Sequence, residues 1–397
     1  MDAFIRDVAQ WAVREALFLA DNGEVLKRLA ELGLRHGLPF DRLTTHLKVL
    51  HPLTHSVSRI WRSDRPMEER FPMRGMETHP AYLTSPVKRV WETGRWIERR
   101  MAPAAIGPDP DGFAILDDLR HEGFTHYVIG PVVFSDRENH ALSFATKAPS
   151  GFGDAQIDCL RQLSAILAPV IEVKALRRTT AGLMETYLGH DTAELVTRGR
   201  IELGDGQKRR AALWYSDLRG FTTLTEDRPL DAVVAVVNDY FGLVGAIAAR
   251  HGGEVVQFIG DAILIYFAVP QDGFDSVACR HALDAAAEAR RELAAWNRQR
   301  LGKREPPIEF GLGLDFGDII HVNVGTIGRQ SFNIIGPAVN RAARIEELTK
   351  ILGRPVLASG DFATALGQTL RALGPYRLRG IAQPVEIVEP VEGPFGA

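Results

Sequence analysis

Residues 252–267 read GGEVVQFIGDAILIYF. Val255, Val256 and Phe258 lead into the short turn Ile259-Gly260-Asp261, and an unbroken apolar run, AILIYF, leaves it. Two strand-length apolar segments around a Gly-containing turn predict a hairpin over 255–258 and 262–267, with Asp261 at its tip. Working outward, residues 230–250 and 276–300 carry long helical patterns on either side of that hairpin. A strand over 211–215 precedes the first helix. Two strands, 308–314 and 319–324, follow the second and are joined by Asp315-Phe316-Gly317-Asp318. The order β-α-β-β-α-β predicts a ferredoxin-like α+β sandwich. A helix over 338–352 and strands near 356–358, 376–378 and 385–388 extend it.

Upstream, Phe4, Val8, Trp11, Leu17, Leu19 and Leu26 recur at helical spacing within the first 45 residues. Short β-type runs follow at 47–50 and 57–61, and residues 66–103 are punctuated by Pro and Arg. The apolar run YVIGPVVF (127–134), the polar turn SDREN and residues 141–145 predict a second hairpin. Asp154 then suits a helix N-cap ahead of Ile157, Leu160, Leu163 and Leu167. The expected organisation is an α+β domain over 1–175, a helical connector over 176–208, and a second domain over 209–397. The connector carries Gly199, Gly204 and Gly206. It reads either as a lever that couples the two domains or as an inert spacer.

Composition narrows the function. The 397 residues are 45% apolar and 24% charged with a net charge of −3, which excludes a disordered chain. No basic excess exists to neutralise phosphates, so no nucleic-acid partner is expected. Two cysteines, Cys159 and Cys279, exclude a disulfide framework and a Cys-based zinc site. The opening MDAFIRDVAQWAVREALF has acids inside its apolar stretch and does not read as a signal peptide. The apolar runs fall short of the ~20 residues of a spanning helix. The expectation is a soluble, cytoplasmic protein without a membrane span.

Three segments carry the chemistry. Asp217 follows the apolar strand AALWYS, and Asp261 sits on the hairpin tip, so strands distant in sequence can bring two carboxylates together. At ~4 Å and an effective dielectric near 20 they would repel by about 4 kcal/mol, so convergence calls for a cation. Hard oxygen donors suit Mg²⁺ or Mn²⁺ and leave coordination positions for phosphate oxygens. Either Asp alone also reads as a turn or cap residue. Leu218-Arg219-Gly220-Phe221-Thr222-Thr223 is a strand-to-helix turn whose backbone N–H groups suit a phosphate, or simply start a helix. In NIIGPAVNRAAR (333–344), Pro337 suits a first helical turn. Asn340 and Arg344, four apart, share a face; taken alone they read as solvent-facing.

Together YSDLRGFT, GGEVVQFIGDAILIYF, GLGLDFGDIIHVNVG, SFNIIGPAVNRAARIE and LRGIAQPVEI resemble the class III adenylate and guanylate cyclase catalytic domain, over about residues 209–390. The resemblance implies a homodimer with composite active sites and two Mg²⁺ or Mn²⁺ ions in each. Asp217 and Asp261 match the metal-binding aspartates, with the Leu218 carbonyl completing the shell. Gly220, Phe221 and Thr222 match the triphosphate loop, and Arg379 stands where many members carry a triphosphate-binding Lys. Asn340 and Arg344 would come from the facing subunit, to orient the ribose and to stabilise charge on the α-phosphate. The implied reaction is attack of the ribose 3′-hydroxyl on the α-phosphorus with loss of pyrophosphate.

Substrate choice is where the chain departs from the family pattern. Many adenylate cyclases of this family read adenine with a Lys and an Asp; here Gln257 and Asn333 occupy those positions. Guanylate cyclases usually place Glu at the first, and this chain does not. Each amide offers both a donor and an acceptor and can flip. ATP is the expected substrate, with side activity on GTP, which makes the chain an adenylate cyclase, a phosphorus-oxygen lyase. The alternatives are a guanylate or dual-specificity cyclase, and a catalytically silent nucleotide-binding regulator. All four of Asp217, Asp261, Asn340 and Arg344 argue against silence. A diguanylate cyclase is set aside, because Val255 and Val256 follow Gly252-Gly253-Glu254 where an acid and Phe are needed.

Residues 1–175 resemble GAF-type sensor domains, chiefly through HALSFATKAPSGFGDAQIDCLRQLSAILAPVIE (140–172). The resemblance implies regulation by an unknown small-molecule or protein signal. Cys159 reads as packed. His51, His55, His79, His121 and His126 lack metal spacing and read as surface or loop residues. Trp61, Trp91, Trp96 and Tyr127 read as core.

Overall fold

The computed structural model describes residues 1–101, 109–271 and 273–390. The chain divides into two compact units, Met1–Thr186 and Tyr187–Ala397.

The first unit opens with α1 (Asp2–Arg14) and α2 (Asn22–Arg35). Asp21 caps α2 by accepting the N–H groups of Gly23 and Glu24. The expected helical start ends at Arg35, because Leu43, Thr45 and Leu47 alternate along a strand. That strand, β1 (Arg42–Lys48), is followed by β2 (Ser56–Arg62) and β3 (Arg65–Arg70). Then come α3 (Pro80–Leu83), α4 (Pro86–Thr93), β4 (Ile97–Arg100) and α5 (Ala114–His121). The hairpin β5 (His126–Val133) and β6 (Asn139–Thr146) precedes α6 (Asp154–Leu188). The sheet runs β3-β2-β1-β6-β5-β4, every neighbouring pair antiparallel. One face buries Leu43, Leu47, Leu142 and Phe144 against the apolar sides of α1, α2 and α6. The other packs Ile97, Tyr127, Ile129, Ala141 and Ala145 against Val90, Trp91, Leu116 and Leu119. Cys159 is buried as expected. His126 is not a surface residue: it lies fully buried in β5, where Nδ1 accepts the Phe152 N–H at 3.0 Å.

The second unit contains α7 (His190–Thr197), β7 (Gly206–Leu218), α8 (Phe221–Asp227) and α9 (Leu230–Arg250). The segment expected as a connector is therefore shared out, with α6 continuing to Leu188 and α7 lying inside this unit. Next come the hairpin β8 (Glu254–Ile259) and β9 (Ala262–Ala268), then α10 (Asp275–Gly302). The chain continues through β10 (Phe310–Thr326), β11 (Arg329–Ile335), α11 (Pro337–Leu352), β12 (Val356–Ser359), α12 (Gly360–Leu366), β13 (Arg371–Tyr376) and β14 (Val385–Glu389).

The sheet order is β13-β14-β12-β10-β7-β9-β8, with β11 paired to β10. Within it β10-β7-β9-β8 is the 4-1-3-2 order of a ferredoxin-like βαββαβ core. Helices α9 and α10 cover one face, where Trp214, Ile263, Ile265 and Leu314 meet Tyr240, Val244, Ala282 and Ala286. Helix α11 lies on the other, where Leu213, Leu264 and Tyr266 meet Ala338 and Ala342. It approaches so closely that a Cβ on Gly313 would stand 2.2 Å from the Ala342 carbonyl oxygen.

Two expectations change here. The strands predicted at 308–314 and 319–324 are one continuous strand, β10. Asp315, read as a turn residue, is fully buried and satisfied by Arg341 Nε at 2.7 Å and the Ser359 hydroxyl at 2.5 Å. Helix α9 also meets the length and composition of a membrane-crossing segment, with a mean hydropathy of 1.8. Its Val233, Val236, Tyr240, Val244 and Ile247 are buried, while Leu230 and Val234 are exposed and only 33% of that window is buried.

Candidate active site

Asp217 is the next-to-last residue of β7, in register with Ala262 of β9 and Gly311 of β10. Asp261 occupies the β8–β9 tip beside it, where Gly260 takes the left-handed φ of 65° that the tight turn needs. Register and turn together bring the two carboxylates near enough for each to act on the other's charge. Burial, then the neighbouring Asp217 carboxylate, push Asp261 up to about 6. Asp217 Oδ1 is buried without a hydrogen-bond partner, and Lys350 Nζ stands 3.6 Å from Oδ2. Glu346, pushed up to about 7 chiefly by burial, adds to the negative corner and is opposed by Arg219 at 3.2 Å. An orphaned carboxylate oxygen facing a second acid is the donor set of a hard divalent cation. Among the described residues no group of three or more His, Cys, Asp or Glu side chains could hold a metal. The pair would therefore need carbonyl, water or phosphate oxygens to complete a coordination shell.

Leu218 ends β7 with its side chain buried, next to Asp217. Gly220 precedes α8 at φ 68°, Phe221 packs partly on the core, and Thr222 is exposed. These residues thus sit directly beyond the strand end that carries Asp217.

Helix α11 divides its residues between two sides. Ala342, Ile345, Glu346 and Thr349 are buried, whereas Asn340 is exposed and Arg344 half-buried, paired with Glu347. At ~100° per residue, Asn340 and Arg344 project from the side opposite Ala342. One copy of the chain therefore does not bring them to its own Asp217 and Asp261. Gln257 pairs in register with Leu264 past a bulge, which sets it on the α11 side of the sheet, exposed. Asn333 lies on β11 opposite Val322, its Oδ1 accepting the Ile334 N–H at 2.8 Å, and β11 touches β8. Arg379 is exposed between β13 and β14, at the sheet edge away from β8 and β9.

Sequence reasoning missed a second ionic cluster. The Asp191 N–H at the start of α7 donates to Glu254 Oε1 at 2.8 Å, and its carboxylate accepts from Arg209 at 2.5 Å and from the Tyr266 hydroxyl. Burial and the charge of Asp191 push Glu254 up to about 7. Thr192 Oγ1 and His321 Nε2 meet at 3.1 Å beside it. The partners are spread over 129 positions, so no local pattern announces them.

Residues 205–372 match the family model of the adenylate and guanylate cyclase catalytic domain. This part of the chain belongs to that class III cyclase family. Over 225 residues the chain is 34% identical to an uncharacterized protein of Mycobacterium tuberculosis, covering 56% of this chain and 38% of the relative. A Mycobacterium bovis protein, also uncharacterized, is 34% identical over 218 residues, 54% of this chain and 39% of its own length. The chain thus spans about two fifths of these curated relatives. Among solved structures it is similar to the adenylyl cyclase CyaB of P. aeruginosa, at 25% identity and a TM-score of 0.43 over 47% of this chain and 96% of that one. It is also similar to the guanylyl cyclase Cya2, at 29% identity and a TM-score of 0.42 over 49% and 98%.

Proposed function

We propose that the chain is an adenylate cyclase that converts ATP to 3′,5′-cyclic AMP and pyrophosphate at composite sites between two copies, regulated by its N-terminal unit. The observation that carries this reading is the Asp217–Asp261 pair at a strand end, together with Asn340 and Arg344 turned outward on α11. A second copy can supply that outward face to the first copy's acidic corner. Mg²⁺ or Mn²⁺, two per site, would be held by Asp217 and Asp261 with the Leu218 carbonyl, and would supply Lewis acidity toward the triphosphate and the 3′-hydroxyl.

The chain's own residues do the positioning. Gly220, Phe221 and Thr222 offer the N–H groups of a first helical turn to phosphate oxygens. Asn340 of the facing copy orients the ribose, so that its 3′-hydroxyl points at the α-phosphorus. Arg344 lays a planar cation along the phosphate oxygens, where negative charge grows as the bond to pyrophosphate breaks. The family resemblance assigns Arg379 to the triphosphate, a role its position at the sheet edge away from β8 and β9 does not support. Gln257 and Asn333 meet the base. As amides that can flip, they reject guanine less firmly than a fixed donor and acceptor would, so ATP is preferred and GTP is turned over more slowly.

The test is formation of cyclic AMP by the purified chain with Mn²⁺, run beside GTP. Asp217→Ala and Arg344→Ala should each be nearly inactive alone. Mixed in equal amounts they should recover about a quarter of wild-type activity, since half the dimers carry one intact site out of two. No recovery despite demonstrated mixed dimers would reject shared sites, and equal or better turnover of GTP would reassign the substrate.

A further inference from the structure

In the N-terminal unit, a buried cation stands without a counter-charge. Arg42, the first residue of β1, is 4% exposed, and its Nε has no hydrogen-bond partner. Among the described residues no carboxylate pairs with it. Of the groups it feels, the Tyr127 hydroxyl favours the cation most, Arg62 and Arg70 oppose it, and Glu122, itself paired with Arg62, favours it. Neighbouring cations on the same face are all answered: Arg62 by Glu122, Arg70 by Glu68 and Arg99 by Asp109. Arg42 alone is left over there, among the described residues.

The residues that alternate with Arg42 along β1 deepen the contrast. Thr44 is fully buried, and its hydroxyl has no partner. It stands in register with Ser143 of β6, as Arg42 does with Ala145. His46 follows on the same face, its ring nitrogens on Ser58 at 2.9 Å and Ser143 at 3.4 Å. Burial and the charge of Arg42 hold that imidazole neutral, down to about 3. This strip therefore presents a guanidinium whose Nε has no partner and a hydroxyl without one, backed by neutral donors, with no carboxylate paired to them among the described residues.

A guanidinium cannot escape by losing its proton; burial lowers Arg42 only to about 10. A buried charge that keeps its proton requires an anion. We propose that the sheet face around Arg42 and Thr44 binds a small anion, a carboxylate or phosphoryl group held by the Arg42 guanidinium fork and the Thr44 hydroxyl. The fork takes two oxygens in parallel from either group. This gives the regulatory reading of the N-terminal unit a ligand class, and its test does not pass through catalysis.

The full chain is melted and titrated calorimetrically with sodium phosphate and, separately, sodium succinate, with chloride balancing ionic strength. The expected result is a saturable rise in the melting temperature of the N-terminal unit with at least one probe. A response to phosphate alone assigns a phosphoryl ligand, and one to succinate alone assigns a carboxylate. Thr44→Val should weaken binding about tenfold. Arg42→Met should abolish it, yet melt in chloride no lower than wild type, because it removes an unpaired charge. No saturable response to either probe, an unchanged response in Arg42→Met, or a marked loss of stability of that variant in chloride would overturn the proposal. Failure of the cyclase reading shows separately, as absence of cyclic nucleotide from the wild-type chain.

Discussion

The two units differ in which buried carboxyl and basic groups burial shifts most. In the C-terminal unit Asp261 and Asp315 are raised to about 6, and Glu254 and Glu346 to about 7, while His321 and Arg290 are lowered. In the N-terminal unit Arg42 is lowered to about 10, His46 to about 3 and His140 to about 4, while the Tyr127 hydroxyl is raised. Most of these groups have protein partners. Asp261 faces a second acid, Asp217, whose Oδ1 is orphaned while Lys350 stands by Oδ2, and Arg42 has no paired carboxylate among the described residues. Where a fold leaves a buried charge unanswered, the sign of that charge names the sign of what belongs there. By that rule the acidic corner suits cations and the strip around Arg42 suits an anion.

The hardest blow to this contrast is to remove an unanswered charge. Asp217→Ala should lower turnover at least ~10²-fold and let Asp261 fall back toward an ordinary carboxylate, readable by NMR titration. Arg344→Ala should lower kcat by ~10²–10³-fold with KM changed far less, because its interaction strengthens as charge develops on the phosphate. Comparable losses in kcat and in substrate affinity would make it a ground-state contact instead.

Packing offers a second comparison. A Cβ on Gly313 meets only backbone, the Ala342 carbonyl and the Glu346 N–H at 2.5 Å, so α11 would have to lift off the sheet. A Cβ on Gly130 meets the half-buried Trp96 ring at 2.3 Å, which can swing away. Gly313→Ala should cost about 1–3 kcal/mol of stability and Gly130→Ala less, read from urea unfolding followed in each unit.

The units should also respond to pH in opposite directions. Between about pH 4.5 and 7 the folded catalytic unit holds protons that its unfolded chain releases, because Glu254 and Glu346 keep theirs to about 7. Its stability is therefore greatest at the acidic end and declines as pH rises toward 7. His46 and His140 stay neutral when folded but protonate near 6.5 when unfolded, so the N-terminal unit loses stability as pH falls below about 6.5. Hydrogen exchange at pH 5 and 7, corrected for intrinsic rates, should show protection moving oppositely in the two units. Glu254→Gln should flatten the catalytic unit's slope. Parallel responses would break the comparison.

The smallest effect concerns the base. Gln257→Lys with Asn333→Asp should raise the preference for ATP over GTP by about tenfold, measured as the ratio of kcat/KM values.

Much of the C-terminal unit is legible because its elements follow local patterns. The hairpin tip at Asp261 follows from apolar runs around a glycine, and α9 was bounded by its periodicity to the residue. Asp315 shows where such reading stops. In the string Asp315-Phe316-Gly317-Asp318 an acid and a glycine look like a turn, yet Arg341 and Ser359, 26 and 44 positions on, hold that acid inside β10. Long-range neutralisation leaves no trace in a short window. Arg42 is the converse. As one of many arginines it carries no signal, and its interest lies in its burial with no carboxylate paired to it among the described residues. His126 departs from its expected surface role for a related reason, since spacing against metal motifs says nothing about a histidine that accepts a backbone N–H in the core.

The outward set of Asn340 and Arg344 on α11 has a genetic corollary. If each copy lends those side chains to its neighbour's nucleotide, a chain with a ruined arginine spoils the neighbour's site but leaves its own served by the normal copy. In a mixed population, output would then decline in simple proportion to the share of faulty molecules. Such an allele would behave as recessive, and poisoning by the mutant chain is not expected.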